Sequence, residues 1–438
     1  MTEIVIYSPI KTNRLEYILS FIFTNVANIN WKLVTNINNI DSTNNIIINY
    51  STNEIKDSLQ IIPYNILFET DINKKPISVN SWDDIPILFA NNNNLIPFDI
   101  FSAVFYLISR YEEYISDDFD KHGRFKAINS IAFKYSFLER PIVDEWIYKF
   151  FQIIIEKYPK VKNIDRKYKF ISTIDIDNAY AFKHKNIYRK TAAFVKSLIK
   201  IDITEIKTRV NVFAKNITDP YDNYLFIKQI HDRHMIKPIF FILCSKYGKY
   251  DKNISYKSHE FKRLLKDLSD FGKIGLHPSY NASEKNNISS EKNLLSNILG
   301  KDIIISRQHF LKMYLPKTYK MLNENGIKSD FSMGYSSHIG FRAGTCTPFK
   351  FFDLQCNKEL DILIHPFQII DVALLNTNKS TEQAIIEIQN IISIIKKVNG
   401  LFIPIWHNES LGNYKRWHGW KQVYEEMINL AVEKQKIN

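Results

Sequence analysis

Phe170-Ile171-Ser172-Thr173-Ile174-Asp175-Ile176-Asp177-Asn178 begins as an apolar, β-branched run and ends in two carboxylates. That is the pattern of a buried strand breaking at a polar tip. An apolar run, a polar or charged tip and a helical stretch then recur about seven times toward the C-terminus. The strands are expected at 170–176, 238–243, 274–277, 303–306, 329–333, 362–365 and 401–406. Strands alternating with helices form parallel βαβ units, and runs apolar at nearly every position are buried on both faces. The fold class expected is α/β, an irregular (β/α) barrel of about seven strands over residues 168–438. A doubly wound open sheet is the structural alternative, because the period alone does not separate the two.

Upstream, residues 1–160 read as a smaller N-terminal α/β domain of unknown role, with β-branched runs at 46–50 and 59–64 and helical patterns at 15–26, 98–114 and 143–158. The 438 residues suffice for two such domains. With 45% hydrophobic and 14% aromatic residues the composition is that of an ordinary globular chain. No run of about 18 apolar residues suggests a membrane span, and no basic-then-apolar leader opens the sequence. Cys244, Cys346 and Cys356 are odd in number and lack CxxC spacing, which fits free thiols in a cytoplasmic compartment. The net charge of +12 comes with no recognised nucleic-acid module, so no nucleic-acid partner is expected. A basic, helix-patterned run from Lys183 to Arg209, with Lys185, Arg189, Lys190, Lys196 and Lys200 among apolar residues, is ordinarily a solvated face. Its alternative is peripheral contact with an anionic membrane, the inner membrane in a bacterium.

The chemistry gathers at the strand tips. They carry Asp175 and Asp177, His277, Arg307 and His309, His365, then His407, and in β/α folds that edge bears the active site. A lone Asp pair more often closes a turn, and a lone His is more often core. Four histidines with an Asp pair and an Arg, all at equivalent positions, are harder to assign to packing.

Thr173-Ile174-Asp175-Ile176-Asp177 resembles the first motif of the polysaccharide deacetylases, the carbohydrate esterases of NodB-homology type, and the chain as a whole resembles an atypical bacterial subgroup with an extra N-terminal domain. The resemblance runs over about 270 residues in strand order. It implies Asp175 as general base and Asp177 as ligand of a divalent metal, zinc foremost. The family's His-x-x-x-His motif is met by His277 but has Asn281 in the second place. Asn281 as a carbonyl ligand, His309 as a replacement, and a site without metal all stay open. For the arginine that orients the base, Arg307 has the right strand order and Arg342, in Gly340-Phe341-Arg342-Ala343-Gly344, the more motif-like setting. His407, in Ile405-Trp406-His407, matches the general acid. Trp406 is a candidate sugar platform or a core residue, and His365 a candidate substrate-orienting group or ligand.

These readings imply a hydrolase acting on carbon–nitrogen bonds that removes N-acetyl, or secondarily O-acetyl, groups from a sugar of a polysaccharide or its precursor. The alternative is a catalytically silent carbohydrate-binding or assembly protein on the same fold.

Overall fold

A computed structural model of the chain describes residues 3–39, 46–93, 95–285, 287–378 and 380–433. Near the N-terminus β1 (Ile4–Tyr7), β2 (Trp31–Val34), β3 (Ile46–Tyr50) and β4 (Leu59–Ile61) form a parallel sheet in the order β2-β1-β3-β4. β5 (Val79–Trp82) and β6 (Ile85–Leu88) pair as an antiparallel ribbon. The helix Ile100–Ile108 is buried along its whole length, as a sequence apolar at every position but Ser102 demands. Asp99 caps it, accepting from the Ser102 amide at 3.0 Å. The longer helix Ile142–Lys157 buries Ile142, Val143, Trp146, Ile147, Phe150 and Ile154, a stripe at the 3.6-residue period.

The second sheet is mixed α/β and larger. Its strands are β8 (Thr173–Ile176), β9 (Ile239–Ile242), β10 (Lys273–Leu276), β11 (Ile305–Ser306), β12 (Ser329–Asp330), β13 (Phe349–Asp353), β14 (Lys358–Ile364), β15 (Ile369–Ile370) and β17 (Pro404–His407). They run in the order β13-β14-β12-β11-β10-β9-β8-β17-β15, parallel throughout except for the antiparallel β13–β14 pair. β7 (Lys169–Phe170) and β16 (Leu401–Phe402) pair separately. The runs expected at 170–176 and 401–406 are thus each split in two, at Ile171-Ser172 and at Ile403. Among the described residues the row ends at β13 and β15 and no pairing joins them. The strand–helix alternation is as expected for an α/β fold, and among the described residues the ladder is open, so closure into the irregular barrel that the sequence reading favoured over an open sheet is not seen. β13 ends the row because it returns as a hairpin partner of β14, a feature that a count of βα units does not contain.

Both sheets share one apolar core, and buried polar groups cross between them. Asp144, on the helix Ile142–Lys157, accepts from Arg166 Nη2 at 3.0 Å, Thr345 Oγ1 at 2.8 Å and the Cys346 amide at 3.0 Å. The loop that supplies Thr345 and Cys346 turns at Gly344, whose φ is +66° and where a Cβ would come within 2.8 Å of Leu107. Only glycine combines that backbone with so close an approach. All three cysteines are free thiols, Cys244 and Cys346 buried and Cys356 exposed.

Candidate metal centre

Parallel pairing sets the C-terminal ends of neighbouring strands side by side. His407 is in register with Asp175, and Leu276 with Ser306, so the residues at and just beyond these positions share one edge. Asp175, 3% exposed, accepts from Arg307 Nη1 at 2.7 Å. Arg307 is fully buried, donates from Nε to the Phe331 carbonyl at 2.9 Å and lies over the Phe241 ring. A guanidinium fixed in this way fixes its carboxylate partner.

Asp177 stands just past β8 with its side chain 30% exposed, and three imidazoles surround it. His277 Nε2 is 3.1 Å from Asp177 Oδ1 and 3.8 Å from Asp175 Oδ2; His309 Nε2 is 3.4 Å and His407 Nε2 3.6 Å from Asp177 Oδ2. The ligand atoms of Asp177, His277 and His309 all lie within 4.8 Å of one another. Each ring is gripped at its other nitrogen. His277 Nδ1 bonds the Arg307 carbonyl at 2.6 Å, His309 Nδ1 bonds Asp251 Oδ1 at 3.0 Å, and His407 Nδ1 bonds both oxygens of Asp371 at 2.9 and 3.0 Å. A carbonyl only accepts, so the neutral His277 ring carries its proton on Nδ1 and turns the Nε2 lone pair toward Asp177.

That arrangement suits a cation. Asp177 Oδ1 is buried without a hydrogen-bond partner, and the lone-pair nitrogen of His277 faces it at 3.1 Å. Two lone pairs facing at this range are relieved by a cation or proton between them. Two ligands each about 2.0–2.1 Å from a tetrahedral ion stand roughly 3.3 Å apart, close to the 3.1 and 3.4 Å separations of Asp177 from His277 and His309. Two imidazoles and one carboxylate, their rings oriented by a carbonyl and a second carboxylate, form a donor set fitted to zinc or a similar ion.

Electrostatics follow from this crowding. Burial works against charge on Asp177, but His309 foremost, with His407, outweighs it and holds the carboxyl well below the usual range. For His309, burial is outweighed by Asp177 and Asp251, and its pKa rises to about 9. Burial is likewise overcome at His407, chiefly by Asp371, so the imidazolium persists well above the ordinary histidine range.

Behind His309 four rings pack together. His122 lies against Tyr250, Tyr280 and Phe310 with centroids 5.3–5.7 Å apart, and Tyr250 and Tyr280 approach to 4.3 Å. His122 Nδ1 meets Tyr280 Oη at 3.1 Å, and Arg124 donates to the Phe310 carbonyl at 2.8 Å. Residues upstream of 160 therefore hold the loop that carries His309. Sequence reasoning missed Asp251, Asp371, His122 and Arg124. Asp371 had a signal, since it directly follows β15. Asp251, nine residues beyond β9, and the upstream pair had none.

Several expected residues lie elsewhere. Asn281 is exposed on the helix Tyr280–Lys285, and among the described residues no hydrogen bond joins its side chain to the cluster. Arg342 is buried, but its Nε and Nη2 bind the two oxygens of Glu113 at 2.9 and 2.6 Å, not Asp175. Trp406 is fully buried, with Nε1 3.1 Å from Met427 Sδ and its ring against Trp420 and Tyr424, so it forms core and no sugar platform. Neighbouring strand residues point to opposite faces, and His407 takes the side that meets Asp177. His365 stacks at 4.3 Å on Phe331, the residue whose carbonyl holds Arg307, and burial lowers its pKa to about 4. No hydrogen bond or ion pair links it to the cluster among the described residues.

The family of unknown function DUF7033 matches residues 4–159. No curated protein matches the chain. Among solved structures, a protein assigned as a polysaccharide deacetylase from Mycobacterium smegmatis is 13% identical, with 63% of this chain and 87% of that one covered and a TM-score of 0.40. A polysaccharide deacetylase from Bacillus cereus is 14% identical over 60% and 86% of the two chains, TM-score 0.30. An allantoinase is 8% identical over 62% and 86%, TM-score 0.40.

Proposed function

We propose that the chain is a divalent-metal-dependent hydrolase that removes an N-acetyl group, or secondarily an O-acetyl ester, from a sugar of a polysaccharide or its precursor. In this reading residues 168–438 are the catalytic domain and residues 1–160 a second domain that braces it. The observation that carries it is the convergence of His277 and His309 on Asp177 beside an arginine-held Asp175, with a carboxylate-held His407 facing the same Asp177.

Asp177, His277 and His309 would hold the ion, which when bound supplies Lewis acidity toward a carbonyl and lowers the pKa of water toward about 7. Asp175 takes a proton from the attacking water at Oδ2, because Oδ1 is engaged by Arg307. His407, kept protonated by Asp371, delivers a proton from Nε2 to the departing amine. Arg307 acts through Asp175, fixing its orientation. A cytoplasmic chain would meet a nucleotide- or lipid-linked precursor or a soluble oligosaccharide.

The test is metal analysis of the purified protein combined with acetate release from an N-acetylated amino-sugar oligomer. The reading expects a bound divalent ion and acetate release that a chelator stops and added zinc restores. A protein that takes up no divalent ion and releases no acetate, yet retains the oligomer on a column, would instead be the carbohydrate-binding alternative.

A further inference from the structure

Between β8 and β9 the chain forms two helices, Ile187–Ile199 and Ile203–Ala214, that turn apolar side chains outward. A surface helix ordinarily buries its apolar stripe. Here Tyr188 is 80%, Ile199 77%, Ile201 75% and Ile203 70% exposed. Of the 23 strongly exposed large hydrophobics among the described residues, ten fall between 187 and 217. Scattered exposed apolar residues need no explanation, but a contiguous patch does. A groove between the two helices, lined by Ile187, Phe194, Val210 and Phe213, continues the patch.

The charge around this patch is one-sided. Residues 183–217 contain nine Lys or Arg and two acids. Both acids are already neutralised: Lys415 Nζ lies 2.8 Å from Asp202 and from Glu205, and Arg209 2.8 Å from Glu205. Some of the basic residues are also spent internally. Lys185 donates to the Ala181 carbonyl at 2.5 Å, and Arg189 to the Asn253 and Lys252 carbonyls at 2.8 and 2.6 Å. Lys200, Lys207 and Lys215 are exposed, and among the described residues their ammonium groups make no hydrogen bond or ion pair.

We propose that this helical pair docks on an anionic lipid surface, its outward apolar side chains entering the headgroup boundary and its free lysines meeting phosphate or carboxylate headgroups. Apolar residues flanked by uncompensated lysines match such a surface on both counts. A second copy of the chain would cover the apolar residues but set the same basic charge against itself. No helix among the described residues is long and apolar enough to cross a membrane, so the contact is superficial. The two helices belong to the connection that follows β8 (Thr173–Ile176), at whose end the candidate metal centre stands. The inference stands apart from any reading of that centre.

The experiment is co-sedimentation of the full chain with vesicles of phosphatidylcholine alone or phosphatidylcholine with phosphatidylserine, at low and high salt. Wild type should bind only the phosphatidylserine vesicles and be released by salt, because the attraction is screened over about 8–10 Å at physiological ionic strength. The triple variant Lys200→Gln/Lys207→Gln/Lys215→Gln should lose about a hundredfold in partitioning. Tyr188→Ser/Ile199→Ser/Ile203→Ser should lose at least about tenfold. All six positions are exposed, and an unchanged circular dichroism melt certifies both folds. Absence of binding to phosphatidylserine vesicles at low salt overturns the proposal, as does binding that neither variant weakens. A dimer dispersed by the serine variant, with no vesicle binding, makes the patch a contact between copies instead.

Discussion

Two buried arginines hold carboxylates in this molecule, and their surroundings separate them. Arg307 and Asp175 stand at the tips of the large sheet, within reach of His277 and Asp177. Arg342 binds Glu113 with two hydrogen bonds, and Glu113 also accepts from Arg110 Nε at 2.8 Å; this pair bridges the segment before residue 160 and the loop before β13. Both guanidinium groups are buried and in both the geometry is firm. The first pair leaves a carboxylate oxygen facing a cluster of imidazoles, whereas the second spends every oxygen on arginine. An arginine–carboxylate pair is thus a device without a fixed purpose, and what the remaining lone pairs face decides whether it orients a reactive group or fastens two parts of a chain.

The largest expected effect breaks the first pair. Asp175→Asn keeps the shape but removes the proton acceptor, so acetate release should fall by about 10²–10⁴ with metal content unchanged. Equal loss of metal would move Asp175 into the ligand set. At the seam, Arg342→Met leaves Glu113 short of a partner and should cost roughly 3–5 kcal/mol in urea unfolding, because a buried ion is left partly uncompensated. The contrast fails if this variant unfolds like wild type yet no longer releases acetate. A smaller effect separates ligand support from ordinary surface. Asp251→Asn should weaken zinc binding about 10–100-fold by freeing the His309 ring, while Asn281→Ala, at an exposed helix position, should leave it unchanged in a competition titration.

The smallest expected effect is a pH dependence. Burial raises the cost of charge on Glu113, but Arg342 and Arg110 outweigh it, so its folded pKa lies below the ordinary 4.5. A lowered acid stabilises fully above its unfolded pKa and loses that contribution as pH falls through the folded one. The stability advantage of wild type over Glu113→Gln should be full at neutral pH and vanish on acidification below 4.5. An advantage that grows with acidification would show that the pair does not hold Glu113 ionised.

How much of this was legible in the sequence follows from what each rule can see. Strand tips are marked by an abrupt change from apolar to ligating residues, so Asp175, Asp177, His277, Arg307, His309, His365 and His407 could be nominated together, and all but His365 lie together. The same rule reaches Asp371, which ends Gln368-Ile369-Ile370-Asp371, but a two-residue strand is too short for its period to register. Alternation along β17 argued against giving both Trp406 and His407 to one face. Asp251, His122 and Arg124 were out of reach, because long loops place their residues by tertiary packing that no local pattern encodes. Barrel and open sheet stayed undivided in the sequence for a similar reason, since pairing order is a non-local property.

Phe310 and Leu311 hold φ angles of 60° and 51°, a left-handed pair that side chains with a Cβ adopt at a cost, and Arg124 grips the carbonyl between them. In evolutionary terms this makes the halves of the chain poor candidates for separate inheritance. A recombination that exchanged the first 160 residues for an unrelated partner would carry off the arginine that steadies the turn after His309, and a lineage that drifted at position 124 would be selected for compensation at 310. Residues more than 180 positions apart along the gene would then change together, as if they were neighbours.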